Sequence, residues 1–242
     1  MTEENNSQDE KQKYILGYWN VRGYAQPIRY LLEHIGADYK EEIFSVMKRR
    51  TWLQKRDAMG LDYPNLPYFI DGDKRITQSG AIMFYLARKH GLLGATLEEK
   101  TRATMAYFEL CDFRFAFYFA TYGLWTEVKK YDWYSKHLPS FLRRSSDFLG
   151  DRSFMAGEEV TFVDFLAYEL LDVIQYTDPA CLANATPNLW KYYHRMESMN
   201  AVQNHRHSHR HISWPVNCNH ASFGYKAEDK HVRDSVDLPD PS

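Results

Sequence analysis

The stretch YILGYWNVRGYAQPIRYLL, residues 14–32, restricts the possible fold more than any other part of the chain. Tyr14 to Trp19 is a mostly apolar run of strand length, and Asn20 to Gly23 is turn-like. Ile28, Leu31, Leu32 and Ile35 then recur at helical spacing, with Pro27 suited to the first turn of that helix. A second extended stretch, about Tyr39 to Phe44, follows the Gly36-Ala37-Asp38 break, so the first fifty residues read strand, helix, strand. Lys48 to Arg56 is basic and reads as irregular. Beyond it, Tyr68 to Ile70 and Arg75 to Thr77 are short strands joined by the Asp71-Gly72-Asp73 turn, and Ser79 caps a helix that carries Ile82, Tyr85 and Leu86 and stops near Gly91.

From about Leu92 the strand signals fade. Thr96 with Glu99 is a capping box that opens a long helix through Phe119 or beyond, and Pro139 to Leu149 is another helix, ended by Gly150. Thr161 with Asp164 makes a second capping-type pair before Phe165, Tyr168, Leu171 and Val173, and Pro187 to Met196 gives one more helix. The expected organisation is a disordered polar tail (1–13), an α/β domain of order βαβ-ββα (14–95), an all-helical domain (96–224) and a second disordered polar tail (225–242).

A chain of 242 residues has room for two modest domains, and its 30 Lys and Arg nearly balance 32 Asp and Glu. No global field draws it to nucleic acid or to an anionic membrane. No segment approaches the roughly 20 apolar residues that span a bilayer, and the polar start MTEENNSQDEKQK is no secretory signal, so the expected location is the cytoplasm. Cys111, Cys181 and Cys218 lie far apart, form neither a CxxC pair nor a zinc framework, and are expected reduced. His205, His207, His209 and His211 alternate. In a helix, 205/209 and 207/211 would form i, i+4 pairs able to chelate a divalent metal, but the expectation is a solvated polar end and no metal site.

Three local signals bear on function, each with an ordinary reading beside it. Tyr18 ends a strand that faces a helix N-terminus, where α/β folds place ligands, and is either a packing residue or a hydroxyl donor. Pro67, in Asn65-Leu66-Pro67, is either an edge-strand start or a cis bond that turns the preceding amide and carbonyl outward. Gln78 and Ser79 sit at a helix start, where a cap and a carboxylate site use the same amides.

Taken together, LGYWNVRG, QPIRYLL, GLDYPNLPYFIDGDKRITQS, YLARKH and FMAGEEVTFVDFLAYELLD occur in an order and spacing that closely resembles the mu class of cytosolic glutathione transferases. The resemblance covers about residues 14 to 200, and more loosely to about 224. It implies a thioredoxin-like first domain that holds glutathione, a helical second domain that builds much of the electrophile site, and attack of the glutathione thiolate on small hydrophobic electrophiles in detoxification. Glutathione is then a co-substrate, and no cofactor is expected.

By matching positions, the resemblance makes Tyr18 the hydroxyl donor to the glutathione sulfur. It places Trp19, Arg49, Trp52 and Arg56 at the glycine end, with Arg56 standing where lysine is usual. Leu66, before a cis Pro67, pairs with the cysteinyl part; Gln78 and Ser79 hold the γ-glutamyl carboxylate and amine, with Asn65 nearby. Asp112 reaches the glutathione of the partner subunit in a homodimer, and Tyr63 plugs into a pocket of the partner. Phe115, Tyr118, Tyr122 and Cys218 line the electrophile pocket, and Thr161 with Asp164 serves folding. Three features depart from the family pattern: a shortened stretch between Tyr39 and Trp52, Gly80 in place of asparagine, and Asn217 with Cys218 where an aromatic and a serine are common. These departures leave open an alternative, a transferase-derived protein that carries apolar ligands or serves structure with little turnover.

Overall fold

The computed structural model describes residues 14–123, 126–178 and 180–226. The polar tail expected at 1–13 lies outside the described residues, as does all of the one expected at 225–242 except Tyr225 and Lys226; the Tyr225 carbonyl accepts the Trp214 indole N–H at 2.9 Å. Strands β1 (Tyr14–Trp19), β2 (Tyr39–Phe44), β3 (Tyr68–Asp71) and β4 (Lys74–Thr77) form one four-stranded sheet in the order β2-β1-β3-β4. β1 pairs parallel with β2 and antiparallel with β3, and β3 pairs antiparallel with β4. Three helices complete this unit: α1 (Gln26–His34), α2 (Arg49–Arg56) and α3 (Ser79–Lys89).

The register fixes what meets at the end of the sheet. Gly17 lies opposite Tyr68, and Tyr68 lies opposite Thr77. Tyr18 at the exit of β1, Pro67 at the entry to β3 and Gln78 at the exit of β4 therefore stand side by side. Because β2 runs parallel to β1, with Trp19 opposite Phe44, the chain leaves β2 at the same end and enters α2 there.

Beyond residue 96 the described chain has helices and no strands: α4 (Leu97–Tyr122), α5 (Glu127–Asp132), α6 (Leu138–Leu149), α7 (Phe162–Thr177), α8 (Cys181–Ala185), α9 (Pro187–Ser198) and α10 (Asn200–His207), with a wider turn over Trp133–His137 before α6. Both expected capping boxes are present, at Thr96 with Glu99 and at Thr161 with Asp164. α7 is buried along its whole length. It packs on α4 and α9, and its Tyr168 and Phe165 meet Tyr30 and His34 of α1, joining the helical layer to the sheet unit.

Four local expectations are corrected. Lys48 to Arg56 is helical from Arg49; its one buried residue is Trp52, so it has no apolar period to read. Ser79 is the first residue of α3 and not its cap; Gln78 holds that place at φ 69°. α10, ending at His207, was not anticipated. The histidine stretch is not the solvated polar end expected: His205 is fully buried, packed on Tyr30 and against the His211 ring, while His209 and His211 lie past the end of α10.

Candidate active site

Tyr18 is 5% exposed, at the exit of β1. Its hydroxyl oxygen accepts the backbone N–H of Tyr24 at 3.1 Å. Among the described residues no acceptor takes the hydroxyl's own proton, which is left for a ligand. Burial, chiefly, pushes the phenol well above its ordinary pKa, so at neutral pH it is a proton donor. The Tyr24 amide approaches so closely because Gly23, at φ +41°, leaves room: a Cβ there would lie 2.6 Å from the Tyr18 oxygen.

Beside Tyr18, the Leu66–Pro67 bond is cis. The Leu66 N–H donates to Oδ1 of Asn65 at 2.9 Å, so a ligand that takes this amide must displace the Asn65 side chain. Gln78 is exposed in a left-handed conformation that is rare outside glycine, which turns the chain sharply from β4 into α3. Ser79 is buried as the first residue of α3, next to the helix's unpaired N-terminal amides, which are donors aimed at an anion. Gly80 follows, and a Cβ at that position would overlap the hydroxyl of Tyr107 from α4. As Tyr107 stands, this position has no room for a side chain.

Past β2, Trp52 is buried, stacked on Tyr68 at 5.9 Å and edge-on to Phe44 at 5.4 Å. Trp19, half-buried, meets Phe44 at 6.4 Å. Arg49 is exposed at the start of α2, and Arg56 pairs with Asp57 on the surface. The chain passes from Phe44 to Arg49 through a single short turn, Val46–Lys48, met from the C-terminal segment by Asn219, whose Nδ2 donates to the Met47 sulfur at 3.0 Å.

The helical layer supplies an aromatic wall. Tyr118 meets Tyr24 at 5.0 Å and Tyr122 at 5.7 Å, and the Tyr122 oxygen accepts the Cys218 N–H at 2.8 Å. Burial raises the pKa of both phenols, so they too stay neutral. Tyr18, Tyr118, Tyr122 and Cys218 are thereby brought to one place. Phe115 is not part of this contact network: it is 69% exposed on α4. Asp112 is exposed on the same helix, and Tyr63 is 76% exposed. An apolar cleft of about 490 Å³ lies between α4 and α6, lined by residues that include Met105, Phe108, Leu110, Phe148 and Met155. Among the described residues no group of three or more His, Cys, Asp or Glu side chains could hold a metal ion.

Two features of the site were missed in the sequence. The Tyr24 amide is a backbone group with no residue signature. Arg22, buried and bonded to Glu169 and Asp172 of α7, had one available signal: two carboxylates three residues apart within a largely apolar helix favour a cationic partner.

Comparison with known proteins agrees with this geometry. Residues 15–88 match the model of the glutathione S-transferase N-terminal domain and residues 112–209 that of the C-terminal domain. The chain is 44% identical over 209 residues to the glutathione S-transferase class-mu 26 kDa isozyme 51 of Fasciola hepatica, covering 86% of this chain and 95% of that protein. It is 42% identical over 207 residues to glutathione S-transferase Mu 1 of Rattus norvegicus, covering 84% and 94%. Among solved structures, the glutathione S-transferase Blo t 8 superposes with a TM-score of 0.78 at 29% identity, over 87% of this chain and all of that one. Two domain matches and full-length relatives above 40% identity place the chain in the glutathione S-transferase family, in its mu class.

Proposed function

We propose that this protein conjugates the thiolate of reduced glutathione to small hydrophobic electrophiles, and that Tyr18 activates the sulfur. The observation that carries the reading is the Tyr18 hydroxyl, kept protonated by burial, its oxygen engaged by the Tyr24 amide and its proton unclaimed at the sheet end. A cysteine-like thiol, with an ordinary pKa of about 8.5, is mostly protonated at neutral pH. A hydrogen bond to its anion contributes about 1.5–3 kcal/mol, roughly one to two units of pKa.

Glutathione lies along the row that the register creates. The helix start at Gln78 and Ser79, with Asn65 nearby, takes the γ-glutamyl end; the Leu66 backbone takes the cysteinyl part once Asn65 Oδ1 releases its amide. Trp19, Arg49, Trp52 and Arg56 form the glycine end. Tyr118, Tyr122 and Cys218 form the electrophile wall; Phe115, exposed on α4 and outside that network, is left out of it. Glutathione is a co-substrate, and no other cofactor takes part.

The active unit is a homodimer. Tyr63 projects an exposed ring, and the cleft between α4 and α6 is mostly apolar and large enough to admit it, which supports insertion of Tyr63 into the partner. Asp112 then extends to the partner's glutathione. The protein works in detoxification in the cytoplasm, where its three free cysteines stay reduced. No helix among the described residues is long and apolar enough to cross a membrane.

Purified protein mixed with reduced glutathione and an activated aromatic halide tests the reading. Conjugate formation is expected. Glutathione binding without turnover on any of several aromatic halides and enones would favour the ligand-carrier alternative instead.

A further inference from the structure

The turn that presents the Tyr24 amide is held from outside its own domain. It is one short helical turn, Gly23–Ala25, led by Arg22. The Arg22 N–H donates to the Pro215 carbonyl at 3.0 Å and the Gly23 N–H to the Val216 carbonyl at 3.1 Å. The Arg22 side chain, on a residue only 2% exposed, reaches α7: Nε and Nη2 donate to the two Glu169 oxygens at 3.1 and 2.5 Å, and Nη2 donates to Asp172 at 2.6 Å. Asp172 is braced in turn by the Tyr193 hydroxyl of α9 at 2.8 Å and by Arg206 of α10 at 3.3 Å. Arg206 also bonds Glu197 at 2.6 Å.

We propose that Arg22 is a positioning residue for glutathione activation: its clamp on Glu169 and Asp172 fixes the 22–24 turn so that the Tyr24 N–H engages, and thereby orients and strengthens, the Tyr18 hydroxyl. The proposal rests on the reading of Tyr18 as the thiolate's donor. A donor on the phenol oxygen polarises the O–H and improves it as a donor in its own right. That bond is already 3.1 Å long, so a displacement of about half an ångström takes it out of range. A buried ion pair adds little net stability compared with an apolar substitute, so accuracy of placement is the property that two carboxylates and a planar fork supply here. Lysine keeps the charge but lacks the fork and cannot hold both partners in one plane.

The test is the ultraviolet absorbance of enzyme-bound thiolate, titrated in Arg22→Lys, Tyr18→Phe and the double variant, beside steady-state rates. For Arg22→Lys the bound thiol pKa should rise by about one unit, and kcat/KM at pH 6.5 should fall about tenfold, a deficit that closes above pH 9. KM for glutathione should stay within about twofold of wild type, because the contacts named for binding lie elsewhere. In the Tyr18→Phe background the Arg22→Lys change should add no further pKa shift, since the group it acts through is gone. A folded Arg22→Lys protein with an unshifted thiol pKa, or a shift that adds in full to that of Tyr18→Phe, overturns the proposal. Should Arg22→Lys fail to fold, Glu169→Gln carries the same test with the same two criteria, as it loosens the clamp while keeping an acceptor for Nε. A shift in Tyr18→Phe with none in the clamp variants removes Arg22 alone; no shift in Tyr18→Phe removes the reading of Tyr18, and this proposal with it.

Discussion

At the scale of single residues, the site depends on groups whose chemistry is set by burial and by close approach. Tyr18→Phe removes one hydroxyl from a packed ring and should leave the fold intact. The bound thiol pKa should rise by about one to two units and the neutral-pH rate should fall about 10- to 100-fold. The deficit should shrink as pH passes the variant's thiol pKa; rates and thiolate absorbance from pH 6 to 10 check both halves, and a near-normal rate at pH 6.5 counts against the role. Gly80 is a steric prediction of a different kind. A side chain there collides with the hydroxyl of Tyr107, itself packed against Phe84 and Phe162. Gly80→Ala should cost about 1–3 kcal/mol of stability, as overpacking does, and Tyr107→Phe should recover part of it by removing the obstructing oxygen. Denaturant melts of the single and double variants measure the recovery; strict additivity would mean that the two residues do not meet.

At the scale of elements, α7 is the post around which both layers are built, and its N-terminus is held by one buried carboxylate. Asp164 Oδ2 accepts the Thr161 N–H at 2.8 Å and the Thr161 hydroxyl at 3.0 Å; Oδ1 accepts the Met155 N–H at 2.8 Å and the Tyr192 hydroxyl at 2.9 Å. Asp164→Ala strands several buried donors at once, beyond the loss of the cap. It should cost about 3 kcal/mol or more, which lowers Tm by roughly 6–12 °C in a chain of this size. Kinetic constants measured well below the lowered Tm should stay near wild type, since Asp164 touches no group of the proposed site. A large kcat change at unaltered Tm would contradict this purely structural role.

At the scale of the whole molecule, association and pH response follow from what is exposed and what is buried. Tyr63→Glu should empty the apolar cleft of the partner and weaken the dimer by at least about tenfold, since burying one such ring contributes about 1.5–3 kcal/mol. Sedimentation at micromolar concentration reads it, and a wild-type protein that is monomeric yet fully active would remove both Tyr63 and Asp112 from the scheme. His211, half-buried, is pushed down to about 4, chiefly by burial and then by the charges of its neighbours, from an unfolded value near 6.5. The folded pKa is depressed, so the unfolded chain binds the proton more readily. The stability contributed by neutral His211 is therefore complete above about pH 6.5 and is lost as pH falls towards 4. The Tm difference between wild type and His211→Asn should accordingly narrow on acidification across that window, and a constant difference would refute the assignment. The sequence alone determined the order of the four strands and the main helices, both capping boxes, the division between a mixed sheet and a helical layer, and the family, because these are written in local periodicity, cap residues and long ordered motifs. Tyr18, Pro67, Gln78 and Ser79 were legible as candidates for the same reason: each lies at or beside the end or start of an element. Only the tertiary structure decided that α2 is a helix around a single buried tryptophan, that His205 turns inward instead of pairing along a helix, and that Gly80 makes room for Tyr107. It alone showed that Arg22 is clamped across 147 and 150 residues of chain to Glu169 and Asp172. Contacts between groups so far apart in sequence leave no period to read, since they arise from which surfaces meet once the two layers pack.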